Sequence, residues 1–152
     1  MRLREIREDN NLSQFELAQA LNVSRSVYGM WETEHDIIPL KRLNDFCNYF
    51  NVSFDYVLEL TDIRYYPNNK SNFDRLLIKE RLKALRLSYK FTQEKLSKKL
   101  NITRSLISKY ENGTNLILTS FLIEYSNFFK ISADYLVGRI DEEIILKEKV
   151  LL

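Results

Sequence analysis

Cysteine is almost missing from this chain of 152 residues; Cys47 is the only one. A single thiol excludes an internal disulfide and any multi-cysteine metal site. Glycine (3) and proline (2) are nearly as scarce. Sheet-rich folds need many tight turns and hence turn residues, so this scarcity favours helices. Histidine occurs once, as His35. The sequence has no Gly-rich phosphate loop, no metal-ligand spacing and no Ser/His/Asp or Cys/His set. Catalysis has nothing to rest on, so an enzyme is not expected, nor a cofactor or metal. No run approaches the ~18 apolar residues of a membrane span. The N-terminus, Met1-Arg2-Leu3-Arg4-Glu5-Ile6-Arg7, alternates charge with isolated apolar residues and does not form a signal peptide. The expected location is cytoplasmic.

What is present is a globular composition, 45% hydrophobic and 29% charged. The net charge of +2 conceals an uneven distribution. Residues 1–62 carry 6 Lys/Arg against 11 Asp/Glu, and residues 63–152 carry 17 against 10. An acidic half and a basic half suggest different partners, or one partner met unequally.

The chain repeats itself. Shifted by 79, residues 2–62 overlay residues 81–141 without a gap, with 18 of 61 positions identical. Arg7 falls on Arg86, Gln14 on Gln93, Leu17 on Leu96, Arg25-Ser26 on Arg104-Ser105, and Glu32 on Glu111. Asp55-Tyr56 falls on Asp134-Tyr135. Two units of about 60 residues are a domain duplication, not a solenoid.

Each unit reads as five short helices. Leu3 and Ile6 mark the first, over about 2–9. Ser13 with Glu16 forms a capping box for the second, to about Leu21. Ser24 caps a third to about Glu32. Leu40, Leu43, Phe46, Cys47 and Phe50 give one apolar face for the fourth, which places Cys47 in the core. Ser53 caps a fifth. In the second unit Thr92 and Thr103 take the cap positions, and Leu118, Leu122, Tyr125 and Phe129 form the fourth-helix stripe. There the first helix is expected over 72–88, capped by the box Ser71-Asn72-Phe73-Asp74. The domains are therefore 1–62 and 72–141, with a linker over 63–71 and an apolar tail over 142–152. Pro67-Asn68-Asn69 break helix in the linker, and Tyr65-Tyr66 are expected to pack it onto a domain.

The second and third helices are short, capped and joined by Asn22-Val23 or Asn101-Ile102, a helix-turn-helix spacing. The strings 12–26 (LSQFELAQALNVSRS) and 91–105 (FTQEKLSKKLNITRS), continued by 106–113 (LISKYENG), resemble the phage lambda repressor/Cro family of helix-turn-helix domains, the xenobiotic-response-element (XRE) type. The segments 51–58 and 130–138 resemble that family's fifth-helix ending. The resemblance spans about 120 of the 152 residues. It implies an all-α fold of two tandem five-helix domains and a transcriptional regulator, a repressor by expectation, that binds a double-stranded DNA operator.

It also implies roles. The third helix would enter the major groove with its N-terminal end toward base edges. Its outward residues would be Arg104, Ser105, Ser108 and Lys109 in unit 2, and Arg25, Ser26, Gly29 and Met30 in unit 1. Arg forks match guanine O6 and N7. Gln14 and Gln93 would face a phosphate at the start of the second helix. Asn112, Thr114 and Asn115 would reach the backbone. Leu17, Leu21, Val23, Tyr28 and Trp31, with Leu96, Leu100, Ile102, Ile107 and Tyr110, would be core. Arg7–Glu32 and Arg86–Glu111 would tie the first helix to the third.

Unit 1 departs from the pattern. Glu34-His35-Asp36 stand where unit 2 has Gly113-Thr114-Asn115, and Gly29 and Met30 offer bases no hydrogen bonds. Unit 2 is thus expected to be the main reader. His35 reads as solvated surface. The tail's Ile144, Ile145, Leu146, Val150, Leu151 and Leu152 would leave an apolar patch on a monomer, which favours a homodimer. The alternative is a protein-interaction module that grips a protein partner through unit 1 or the tail.

Overall fold

The computed structural model describes residues 1–147. Among them are ten helices in two compact units, one spanning Met1–Pro67 and the other beginning at Asn68. Unit 1 holds α1 (Leu3–Asp9), α2 (Gln14–Ala20), α3 (Arg25–Glu32), α4 (Leu40–Phe50) and α5 (Phe54–Val57). Unit 2 holds α6 (Arg75–Ser88), α7 (Gln93–Leu100), α8 (Arg104–Glu111), α9 (Thr119–Phe129) and α10 (Ala133–Leu136). Among the described residues there is no strand, only an isolated antiparallel bridge between Ile131 and Ile145. None of the helices is long and apolar enough to cross a membrane.

The helix starts follow from side-chain oxygens that accept an otherwise orphaned backbone N–H. Ser13, Ser24, Ser53, Thr92, Thr103 and Ser132 each accept from the third residue of their helix. Among the described residues only Ser13 closes a full box, because Glu16 accepts in return from the Ser13 N–H.

Two expected boundaries are corrected. Helix α6 begins at Arg75, not at 72, and its cap is Asp74, whose Oδ1 accepts from the Leu76 and Leu77 N–H groups at 2.9 and 3.2 Å. Ser71 has φ +67, a left-handed conformation unlike that of an N-cap, and its carbonyl accepts from Arg139. Leu118 is not part of the α9 stripe. It is the residue before the helix, the counterpart of Pro39, and is 61% exposed. Phe121, Leu122, Tyr125 and Phe129 form the buried face instead.

The core of each unit sits where the first four helices meet the start of the fifth. Leu3, Leu17, Tyr28, Phe46, Cys47 and Phe54 fill it in unit 1. Each large apolar side chain taken from water contributes about 1.5–3 kcal/mol. Arg2 and Arg81 close the two units alike. Each guanidinium lies 4.2 Å from the ring centroid of Tyr56 or Tyr135 and donates to that tyrosine's carbonyl in the fifth helix, to Thr61 O or Ile140 O beyond it, and to Asp62 or Asp141.

The segment after the fifth helix folds back in both units. In unit 1 the Ser53 N–H donates to Arg64 O at 2.6 Å, and the buried Tyr66 hydroxyl donates to Asp55 at 2.7 Å. Tyr65 stays exposed. In unit 2 the Ser132 N–H donates to Ile144 O at 2.9 Å and the Leu146 N–H to Lys130 O at 2.9 Å. Of the described apolar residues of the tail, Leu146 is buried on its own unit, Ile144 is half-buried and Ile145 is 74% exposed. Val150, Leu151 and Leu152 lie outside the described residues.

Candidate nucleic-acid interface

The helix-turn-helix geometry is set at two asparagines. Asn22 and Asn101 adopt φ of +58° and +54° between the paired helices. Asparagine tolerates this left-handed conformation better than most residues with a Cβ. The next N–H, of Val23 or Ile102, bonds back to Ala18 O or Ser97 O at 2.9 and 3.0 Å. This bond fixes the direction in which the third helix leaves. Val23 and Ile102 are themselves half-buried and cap the core edge.

On α8 one side faces inward through Ile107, Tyr110 and Glu111. The other side presents Arg104, Ser105 and Lys109 as exposed residues and Ser108 as half-buried. No ion pair engages Arg104 or Lys109 among the described residues. The Ser108 hydroxyl accepts from Asn112 Nδ2 at 3.4 Å. Just past the helix, Gly113 turns at φ +74°, and the Thr114 N–H donates to Lys109 O at 2.9 Å. Asn112, Thr114 and Asn115 are exposed on this turn. Lys95, Lys98 and Lys99 add charge from the exposed side of α7. Lys98 lies 3.8 Å from Glu94, but both are well exposed, so this contact contributes little.

Unit 1 builds the same frame with different chemistry. Arg25 and Ser26 are exposed at the start of α3, followed by half-buried Gly29 and Met30. Position by position, Glu16, Gln19, Ala20 and Met30 stand where unit 2 has Lys95, Lys98, Lys99 and Lys109. Glu34, His35 and Asp36 are exposed, with Glu34 held at φ +59° where unit 2 has Gly113. Phe15 is 60% exposed at the start of α2, at the position where unit 2 has Glu94.

Both third helices are locked to the first. Arg7 donates from Nε to Glu32 Oε1 at 2.6 Å and from Nη2 to Oε2 at 3.2 Å. Arg86 donates from Nε and Nη2 to the two Glu111 oxygens at 2.7 and 2.8 Å. The remaining nitrogen of each reaches a loop carbonyl, Leu12 O or Phe91 O, at 2.7 Å. The paired carboxylates raise both guanidinium pKa values. Burial opposes ionisation of Glu32, yet hydrogen bonds from Arg7 and Gln14 outweigh it and hold the carboxyl below the usual range.

Sequence reasoning missed what Gln14 and Gln93 do with their amides. They donate to Glu32 at 2.9 Å and to Glu111 at 3.3 Å. The amides thus brace the ion pairs, a role the sequence reading does not assign beside the phosphate contact it expects of them. The signal was in the repeat: Gln, Arg and Glu recur together at all three positions. Arg139 was missed as well. It is fully buried, 3.5 Å from Asp134, and unit 1 has Leu60 in its place. Among the described residues no group of three or more His, Cys, Asp or Glu side chains is placed to hold a metal ion.

Comparison with known proteins agrees with this geometry. A helix-turn-helix family matches residues 3–57, and a helix-turn-helix domain family matches residues 79–142. The chain is similar to three proteins of Bacillus subtilis (strain 168). It is 38% identical over 61 residues to the uncharacterized HTH-type transcriptional regulator YobD, covering 40% of this chain and 54% of the relative. It is 37% identical over 60 residues to the HTH-type transcriptional regulator ImmR, covering 40% and 47%. It is 36% identical over 73 residues to the uncharacterized HTH-type transcriptional regulator YqaE, covering 47% and 63%. The chain thus spans about half to two-thirds of the length of these relatives. No solved structure matches it significantly.

Proposed function

The chain belongs to the XRE-type helix-turn-helix regulators, and on that premise we propose that it is a sequence-specific double-stranded DNA-binding repressor read chiefly through unit 2. One observation carries the assignment of the reader: α8 offers Arg104 and Lys109 without an ion-pair partner among the described residues, beside three exposed lysines on α7. The matching surface of unit 1 carries Met30, Glu16, Gln19 and Ala20. A phosphate backbone attracts the first surface and gains little from the second. Arg104 forks toward a base edge, Ser105, Ser108 and Lys109 add donors along the groove, and Asn112 and Thr114 hold the backbone. Gln93 and Gln14 act from behind by fixing the third helix, while their backbone N–H groups remain at a helix start. Arg25 and Ser26 make the weaker contact of unit 1.

A homodimer, with two copies of unit 2 on two half-sites, fits the symmetry of operators. A cytoplasmic location and a binding role without catalysis go with this reading. A mobility shift with the DNA upstream of the chain's own gene tests it. A discrete complex that competitor DNA does not displace supports the reading, and binding that any duplex displaces equally well contradicts it.

One observation favours a second reading, a protein-binding role for unit 1: Phe15 is exposed beside Glu16 at the start of α2, an apolar ring next to a carboxylate where unit 2 has Glu94 and Lys95. A complex that forms with protein but not with DNA, and is lost on Phe15→Ala, would establish it.

A further inference from the structure

The segment between the units is much shorter in effect than its sequence suggests. On one side, Tyr66 is buried and hydrogen-bonded to Asp55 at 2.7 Å, and Arg64 is tied through its carbonyl to the Ser53 N–H. On the other, the Lys70 N–H donates to Arg139 O at 2.7 Å, and Lys70 Nζ meets Asp141 at 2.7 Å. Only Pro67, Asn68 and Asn69 stand between these anchors. A linker read as nine residues would reach roughly 30 Å; four Cα steps reach at most about 14 Å.

We propose that this tether makes the chain a ruler of operator spacing, confining unit 1 to the turn of DNA next to the one its own unit 2 reads. The proposal rests on the DNA-binding reading above. A unit of this size has a radius of gyration of about 11–12 Å and hence an outer radius of about 15 Å, so a 14 Å tether keeps the two centres within about 44 Å. Neighbouring major grooves on one face are about 34 Å apart, and the next is about 68 Å away. The first distance is within reach and the second is not. Proline stiffens the tether further.

The same shortness gives the poorer reader a role. A weak site held by a short tether acts at roughly millimolar effective concentration, so contacts too weak to bind alone still add affinity. Unit 1 therefore needs few base contacts of its own. Its contribution depends on where the neighbouring sequence lies.

The test is selection of bound sequences from a random duplex pool, using the full chain and a variant with roughly twelve Gly/Ser residues inserted between Asn68 and Asn69. Both anchors remain intact in the variant, and circular dichroism checks its helix content. The wild type is expected to enrich a main motif with a weaker companion centred about 10 base pairs away, and none at two turns. The insertion should spread the companion to two turns and weaken binding to the one-turn sequence up to about eightfold, following the three-halves power of tether length. A repeat of the main motif at fixed spacing in both proteins is the second unit 2 of the homodimer; a weaker companion that likewise keeps one spacing in both belongs to a second copy and overturns the proposal. A main motif without any companion also overturns it while leaving DNA reading intact. No enriched motif at all overturns the DNA-binding reading itself.

Discussion

Arg86 holds Glu111 through two hydrogen bonds of 2.7 and 2.8 Å, with both side chains almost fully buried. The pair joins α6 to the end of the helix that carries Arg104 and Lys109. Removing one member strands the other charge away from water, at a cost of about 3–5 kcal/mol. Glu111→Ala should lower the unfolding free energy by that amount in urea titration. A loss under about 1 kcal/mol would place the pair among surface contacts that contribute little.

Acid should find the same kind of pair in unit 1. The Glu32 carboxyl is held below its ordinary value of 4.5. A depressed folded-state value means that its contribution is complete above the unfolded-state value and is lost as pH falls through the folded one. Between pH 7 and 5 the stability gap between wild type and Glu32→Gln should stay constant. Below about pH 4.5 it should narrow. Melting temperatures across pH 3–7 check this, and a gap that widens in acid would reverse the assigned sign.

Gly29 sits inside α3, where unit 2 has Ser108. A Cβ built there meets its nearest atom, Gln14 Oε1, at 3.4 Å, an ordinary contact. Glycine within a helix costs roughly 0.5–1 kcal/mol relative to alanine. Gly29→Ala should therefore stabilise the protein by about that much in denaturant. A destabilised variant would show that Gln14 cannot accommodate the methyl group.

The fold was largely legible because the duplication supplied each signal twice. Ser13, Ser24, Thr92 and Thr103 announced helix starts, and the Arg–Glu pairs recurred at equal spacing. What could not be read lay where the copies differ. The α6 cap failed because Ser71 has the right residue type but a left-handed backbone, and its carbonyl faces Arg139. Leu118 looked like stripe because periodicity alone cannot separate a helix's first residue from the one before it. At the site, exposed charges such as Arg104 were visible from the pattern. The inward turn of Gln14 and Gln93 was not, since a neutral amide suits a phosphate and a buried carboxylate equally well.

Phosphate-neutralising lysines and a base-reading arginine should separate by their dependence on sequence. Lys98→Ala and Lys99→Ala should weaken binding to all duplexes about equally and flatten the salt dependence by roughly one unit of slope per contact. If either substitution changes the preferred sequence and leaves the salt slope untouched, that lysine reads a base and not the backbone.

The central claim is that α8 of unit 2 is the principal reader, and the most direct measurement compares Arg104→Ala with Arg25→Ala in the full chain. Fluorescence anisotropy on the selected operator gives both affinities at one salt concentration. Arg104→Ala should cost about 1–3 kcal/mol on the operator and little on unrelated DNA, the signature of a lost bidentate base contact. Arg25→Ala should cost clearly less. A larger loss from Arg25→Ala, with Arg104→Ala close to wild type, would contradict the assignment and make unit 1 the reader.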